Sequence, residues 1–394
     1  MKEEFTKNLE DKKLVILLAN DFSFDSRVLK EAKSAVKAGM KVYLLARKSR
    51  ATEFKENKEG IEIIRVQTCL DKLWAKISPH GGQEVAGSQS AGAPKALVTY
   101  AAILNTWLLN REFVKVARKI KPDLIHANDS TTLSAGYALK NNGAKLVYDA
   151  HELYTEQLDR PNRFWQWYFR NLEKKLKLAD GIFSVNQSIL DELNKRYKLD
   201  AVPKDILYNA PFYQEIALEY HQKPKLLYLG HYMPGRGIEE IIELVNKMDL
   251  ELDVYGRGFE NLASERVKIH APVKPEEVVS EASRYDIGIL PYIGTNLNNL
   301  YSTPNKLFEY MMAGVAIAAS DLPEIAKVVN KNKVGVLFNP TDPKDMAQKI
   351  GGILEDTQTL KEYRQNALMA AEEFCWEKQE EKLLAMYSNL MSNF

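Results

Sequence analysis

The feature that most constrains this chain is a rhythm that runs twice along it: short β-branched and leucine-rich runs alternate with amphipathic helical stretches. A strand that is apolar on both faces must be covered on both faces, and crossover helices do this in a parallel sheet. In the first series "KLVILLAN" reads as a strand and "SRVLKEAKSAVKAG" as its helix, closed by Gly39. "KVYLLA", "IEIIRV", "DLIHAN", "KLVYDA" and "GIFSVN" continue it to Asn186. A second series, "KLLYLG", "LELDVYG", "RVKIHA", "YDIGILPY", "VAIAAS" and "KVGVLF", follows "LYNAPFY". The expected fold class is therefore α/β, with two Rossmann-like, doubly wound parallel-sheet domains.

A length of 394 residues is too great for one core and suits two. Pro211 and Pro224 fall between the two series, which places a boundary near residue 210. The predicted division is 1–210, then 211–375, then 376–394 as a closing helix that packs back towards the N-terminal domain. A Gly/Ser/Gln/Ala-rich stretch at about 70–95 reads as a mobile loop. "LVTYAAILNTWLL", Leu97 to Leu109, is too short for a membrane span and reads as a buried helix face.

Lys+Arg at 54 against Asp+Glu at 53 argues against a nucleic-acid binder. The two cysteines, Cys69 and Cys375, have no partner at metal-ligand spacing, and the charged N-terminus lacks an apolar export signal. Both point to a reducing, cytoplasmic setting.

In open α/β sheets ligands bind beyond the C-terminal ends of the strands, so the loops there carry the candidates. "LGHYMPGRGIEEII" brings Gly230, His231, Gly235, Arg236 and Gly237 to a helix start, where backbone amides and an arginine fork can meet a phosphate. A plain glycine turn is the alternative, as it is for Gly256 in "DVYGRGFEN". "VYDAHELYTE" offers His151 between Asp149 and Glu152, either a proton-exchanging histidine of near-neutral pKa or a structural one.

"STPNKLFEYMMAGVAIAASDLPEI" sets Lys306 and Glu309 three residues apart at a loop-to-helix junction. Either they form a surface ion pair or the junction is an anion site. No Asp-x-Asp triplet, second zinc-protease histidine, Gly-x-Ser-x-Gly elbow or P-loop lysine occurs, so no metal is expected and hydrolase readings lose support.

Taken together, "DSRVLKEAKSAVKAGMKV", "LVYDAHELY", "FSVNQSI", "LYNAPF", "YLGHYMPGRGIEEII" and "STPNKLFEYMMAGVAIAASDLPEI" resemble the GT-B-fold retaining glycosyltransferases of family 4 (group 1). The resemblance implies two Rossmann-like domains facing across a cleft and a nucleoside-diphosphate sugar of UDP, GDP or ADP type as co-substrate. It implies no further cofactor and no metal. Arg236 takes the place of the family's basic residue, usually lysine, and His231 stands where many members have arginine. His151 matches the active-site histidine, and Glu309 the second glutamate of a pair that holds the donor ribose. The first glutamate's position is Tyr301, a departure at the donor sugar.

The implied catalytic set is His151, Arg236 and Glu309. The implied donor loop adds Tyr301, Ser302, Thr303, Pro304, Asn305 and Lys306 to Gly230, His231, Gly235, Gly237 and Gly256. Acceptor-side candidates are Asp25, Arg27, Asp129, Asp149 and Glu152. The acceptor class stays open between a glycan, a lipid-linked and a small-molecule acceptor. A non-catalytic partner subunit, suggested by Tyr301, and a nucleotide-sugar epimerase are the rival readings. "RPNRFWQWYFRNLEKKLKL" reads either as core packing with a solvated lysine face or as an interfacial helix, which would add a peripheral contact at the inner membrane face.

Overall fold

Apolar strands that cannot face water set the centre of each sheet. The computed structural model describes residues 7–23, 25–77, 95–157, 162–233, 237–248 and 250–392. It divides into two units, Met1–Leu207 with Glu380–Phe394, and Tyr208–Gln379.

In the first unit the order is β1 (Lys13–Leu17), α1 (Ser26–Lys37), β2 (Lys41–Arg47), β3 (Lys55–Lys58), β4 (Ile61–Val66), α2 (Cys69–Ile77), α3 (Lys95–Ile120) and β5 (Leu124–Asn128). It continues with α4 (Leu133–Lys140), β6 (Lys145–Ala150), α5 (Arg163–Glu173), β7 (Gly181–Ser184), α6 (Gln187–Tyr197) and β8 (Lys204–Ile206). The sheet order is β3-β4-β2-β1-β5-β6-β7-β8. All pairs are parallel except β3 with β4. The strand order reverses between β1 and β5, where Leu14 pairs with Leu124, and this is the switch point at which such sheets open a crevice.

The second unit contains β9 (Leu226–Leu229), α7 (Ile238–Lys247), β10 (Leu252–Tyr255), β11 (Val267–His270), α8 (Val278–Ala282), β12 (Ile287–Leu290) and α9 (Leu297–Leu300). Then come α10 (Asn305–Met312), β13 (Ala316–Ser320), α11 (Pro323–Asn332), β14 (Gly335–Phe338), α12 (Pro343–Glu355) and α13 (Thr357–Glu373). Its all-parallel sheet runs β11-β10-β9-β12-β13-β14, with the reversal between β9 and β12. The closing helix α14 (Trp376–Met391) supplies Met386, Tyr387 and Ser388 to the first unit. A Cβ on Gly181 would lie 2.5 Å from Met386 Sδ, so the side chain packs where β7 has none.

Three sequence expectations change. Residues 70–77, read as loop, belong to α2, and 78–94 lie outside the described residues. The stretch read as a buried helix face is half of α3: Ile103, Leu109, Phe113 and Ala117 are buried, whereas Tyr100, Leu104 and Trp107 are exposed. Strand β3, "KENK", is exposed throughout, a polar sheet edge without the apolar alternation that marks a strand. Among the described residues no helix is long and apolar enough to cross a membrane.

In the second unit Arg364 is fully buried on α13. It donates to Asp286 Oδ1 (2.5 Å), to the Gly314 carbonyl (2.8 Å) and to the Glu219 carbonyl (2.5 Å), tying the helix to the start of β12. Removing one partner of a buried pair leaves the other charged and unsolvated, so Arg364→Ala should cost about 3–5 kcal/mol of this unit's stability, read from the urea midpoint. A loss below about 1 kcal/mol, the size of an exposed pair, would contradict the assignment.

Candidate functional site

Two strands of the first unit end side by side and deliver three titratable groups. Asp149 lies on β6, His151 follows that strand, and Asp129 follows its neighbour β5. Asp129 adopts a left-handed backbone (φ 59), and its N–H donates to the Asp149 carbonyl at 2.9 Å. This turn aims its carboxylate at the His151 loop: Oδ1 accepts from the His151 N–H (3.2 Å), and Oδ2 lies 3.6 Å from His151 Nδ1. On the other side of the ring His151 Nε2 lies 3.1 Å from Asp149 Oδ2. The imidazole is thus held between two carboxylates while 19% of it stays exposed.

Beneath it is a buried charge frame. Arg27, on the first turn of α1, donates to Asp149 through Nε (2.9 Å) and Nη2 (2.7 Å), and through Nη1 to the Leu207 carbonyl (2.6 Å). One turn on, Glu31 Oε1 lies 3.0 Å from Arg27 Nε. His126 on β5 places Nε2 3.4 Å from Asp149 and Nδ1 2.6 Å from the Tyr387 hydroxyl. Glu31, His126 and Asp149 bring ligand-type atoms within 4.8 Å of one another, but the Arg27 guanidinium already supplies a cation to Glu31 and Asp149.

The electrostatics follow. Burial opposes ionisation of Asp149, yet Arg27 and His151 outweigh it and hold its carboxyl well below the usual range. Burial and the Asp149 charge push Glu31 up, favouring its neutral form, and burial lowers His126. For His151 burial also works against charge, but Asp129 and Asp149 overcome it and raise the pKa to about 10. Burial lifts Asp129 to about 6 against the pull of His151. The near-neutral imidazole read from sequence is, in this setting, an imidazolium.

Of the acceptor-side candidates, Asp25 is the N-cap of α1, accepting from the Val28 N–H. Arg27 (3% exposed) and Asp149 (0%) lie below the surface, where they fix His151 and cannot meet an acceptor directly, a correction to their sequence reading. Asp129 and Glu152 remain accessible. His126, Glu31 and Tyr387 were not anticipated, although a histidine inside the apolar "DLIHAN" and an acid four residues after Arg27 were signals for the first two.

In the second unit the loops after β9, β10 and β12 converge at the switch point. Gly256 follows β10, and a Cβ there would lie 1.7 Å from the Gly230 carbonyl oxygen, so these two backbones touch only because Gly256 lacks a side chain. A Cβ on Gly230 would approach Lys306 Cε to 3.4 Å. Gly237, the N-cap of α7 at φ 88, sits against Pro291 beyond β12. His231 is exposed in the same loop, and Gly235 and Arg236 lie outside the described residues.

Helix α10 begins after Pro304 without a side-chain cap and without an acid in its first turn. Tyr301, half-buried, closes α9, and its N–H donates to the Leu297 carbonyl; that of Ser302 is taken by Asn299. Thr303 lies in the turn between the two helices. Among the described residues Lys306 and Glu309, both half-buried, form no ion pair with each other. The surface-pair alternative is therefore not the arrangement adopted; the Leu307 N–H bonds the Pro304 carbonyl (3.0 Å), and among the described residues the Asn305 and Lys306 amides find no acceptor.

A family model described as Glycosyltransferase Family 4 matches residues 26–210, and one described as Glycosyl transferases group 1 matches residues 223–356. A phosphatidyl-myo-inositol mannosyltransferase of Mycolicibacterium smegmatis is 25% identical over 178 residues, 42% of this chain, and the match spans 45% of that protein. Sucrose-phosphate synthase of Thermosynechococcus elongatus superposes with a TM-score of 0.74 at 16% identity, over 98% of this chain and 100% of that one. The HepE protein of Anabaena, solved with UDP-glucose, gives 0.68 at 14% identity, over 96% and 99%. At these identities the structural likeness shows the fold, GT-B with two Rossmann-like sheets.

A charged His151 stabilises the folded unit, because its folded pKa of about 10 lies above the ordinary 6.5. This contribution is complete below pH 6.5 and lost as pH rises through about 10. The difference in unfolding free energy between wild type and His151→Gln should follow that curve in pH-dependent urea melts. A difference that is flat from neutral pH through pH 10 would contradict the two-carboxylate clamp.

Proposed function

Since the chain belongs to the group 1 glycosyltransferases of family 4, we propose that it moves a sugar from a nucleoside-diphosphate sugar to a hydroxyl acceptor, with retention of configuration and without a metal. The observation that carries this reading is the start of α10: a helix N-terminus without a side-chain cap and a Lys306 that pairs with no acid among the described residues, beside the glycine contact of Gly230 with Gly256, at the switch point of the second sheet. Backbone donors, a helix dipole and a cation suit a diphosphate. The neighbour solved with UDP-glucose supports a nucleotide sugar as co-substrate. Glu309, three residues further on, is suited to accept hydrogen bonds from ribose hydroxyls.

In the reaction the bond between the anomeric carbon and the phosphate oxygen breaks, and the bond from that carbon to the acceptor oxygen forms on the same face. The acceptor proton passes to the leaving phosphate. Charge grows on that phosphate, and donors that are already oriented stabilise it without reorganising, so the α10 amides, Lys306 and Arg236 contribute most to the rate. His151, being cationic, does not serve as the base at neutral pH. Its accessible edge presents positive charge to the sugar, and Asp149 with Arg27 keeps the ring in place. Tyr301 meets the sugar with one hydroxyl where a glutamate would offer two charged oxygens, which favours donors with a less polar face.

Two variants test the division of labour. Lys306→Ala should weaken the preferred member of a UDP, GDP and ADP panel by roughly 10- to 100-fold in calorimetry, the worth of a charge-assisted contact. His151→Ala should leave that affinity unchanged and lower turnover by about 100-fold or more. Unchanged binding in the first, or full turnover in the second, would overturn the assignment, and consumption of donor alone to an epimeric sugar would replace transfer by epimerisation.

A further inference from the structure

Helix α3 has two faces. Ile103, Leu109, Phe113 and Ala117 go into the core. On the opposite side Tyr100 is 51%, Leu104 47% and Trp107 42% exposed, and the same stripe then continues with Arg111, Lys115 and Arg118, all exposed. Helix α5 extends this surface. Its Trp167 is 59% exposed, and Arg163, Arg170 and Lys174 line a groove with it. The Tyr100 and Phe164 ring centroids are 4.5 Å apart, and Phe164 stacks on Trp167 at 5.5 Å, so the two helices present one aromatic surface. The Arg111 guanidinium lies 4.8 Å from the Trp107 ring centre.

Charge on this surface is one-sided in a chain whose net charge is only +1. The acid of α5, Glu173, is buried and accepts from Ser130 and Tyr197, so it offers nothing outward. Glu112 pairs with Lys115 and Glu156 with Arg170, so these two pairs are locally neutral and the excess positive charge rests on Arg111, Arg118, Arg163 and Lys174. A solvated polar face has no use for two exposed tryptophans, and a contiguous apolar patch rimmed by cations marks a docking surface. A second copy in a two-fold arrangement would set these cations against their own counterparts. An anionic bilayer meets both demands: aromatic rings sit at headgroup depth, and arginine and lysine find lipid phosphates.

We propose that the outer faces of α3 and α5 form a surface that docks the protein on anionic lipid bilayers. The surface is joined to the catalytic loop. Gln166 donates to the Thr155 carbonyl at 3.3 Å, and Trp165 stacks on Tyr154 at 5.7 Å, in the segment that follows His151. Docking would therefore hold that loop near the lipid headgroups. This inference goes beyond sugar transfer and does not rest on it.

The test is co-sedimentation of the full chain with vesicles of phosphatidylcholine alone, or with about 30% phosphatidylglycerol, at low and high salt. Binding is expected to the anionic vesicles only and to fall with salt. Arg163→Gln with Lys174→Gln should lower the partition coefficient by about 30-fold, the effect of two surface charges, and Trp107→Ala with Trp167→Ala by about tenfold or more. Both double variants should keep the wild-type thermal midpoint within about 3 °C and bind nucleotide unchanged. Equal affinity for neutral and anionic vesicles, no binding to either, or binding indifferent to these substitutions would overturn the proposal. So would a concentration-dependent dimer that the same substitutions dissolve while vesicles leave it untouched, which would make the surface an interface between copies.

Discussion

A guanidinium and a carboxylate placed below a protein surface each lose several kcal/mol of hydration, and only close, multiple hydrogen bonds offset that loss. Arg27 and Asp149 meet this condition with paired contacts, and the Leu207 carbonyl takes a third N–H. Much else in the first unit depends on this contact. With Arg27 in place Asp149 remains an anion at zero exposure, and an anion there keeps His151 protonated and oriented. Without the arginine, burial would push the carboxyl upward against the two histidines alone, and its hold on the imidazole would weaken. Glu31 and His126 make the same point in reverse: each lies against the frame, and the direction of its pKa shift favours the neutral form.

The second unit handles charge in the opposite way. Its switch point collects donors that find no acceptor among the described residues: the Asn305 and Lys306 amides of α10 and the ammonium of Lys306, beside backbones that only glycine allows to meet. One unit thus carries a finished, self-neutralised cluster that orients a single exposed ring, and the other carries an unfinished one that suits an external anion. That contrast matches a division between a group that acts on the sugar and groups that hold a nucleotide.

Much of this could be read in the sequence, for an identifiable reason. Buried parallel strands such as "KLVIL" and "IGIL" are apolar on both faces, so they stand out against the helices whatever their partners are. An edge strand such as "KENK" obeys no such constraint and escapes notice. His151, Lys306 and Glu309 were visible because each belongs to a local stretch at a strand or helix end. The frame beneath His151 was only half visible: Arg27 and Asp149 were singled out for contact with an acceptor, yet they are buried supports. Their neighbour His126 finds Tyr387 261 residues away, and no local pattern encodes that meeting. Arg236 was legible as a motif residue and carries its role on that ground alone.

The most direct measurement is a ring-nitrogen NMR titration of His151 in the folded protein, in wild type and in Asp149→Asn. The wild-type ring is expected to keep both protons through neutral pH and to titrate near 10, above the ordinary 6.5, with a midpoint that falls markedly once Asp149 is neutralised. A wild-type midpoint at the ordinary value of 6.5, unmoved by Asp149→Asn, would contradict the charge frame on which the proposed role of His151 is built.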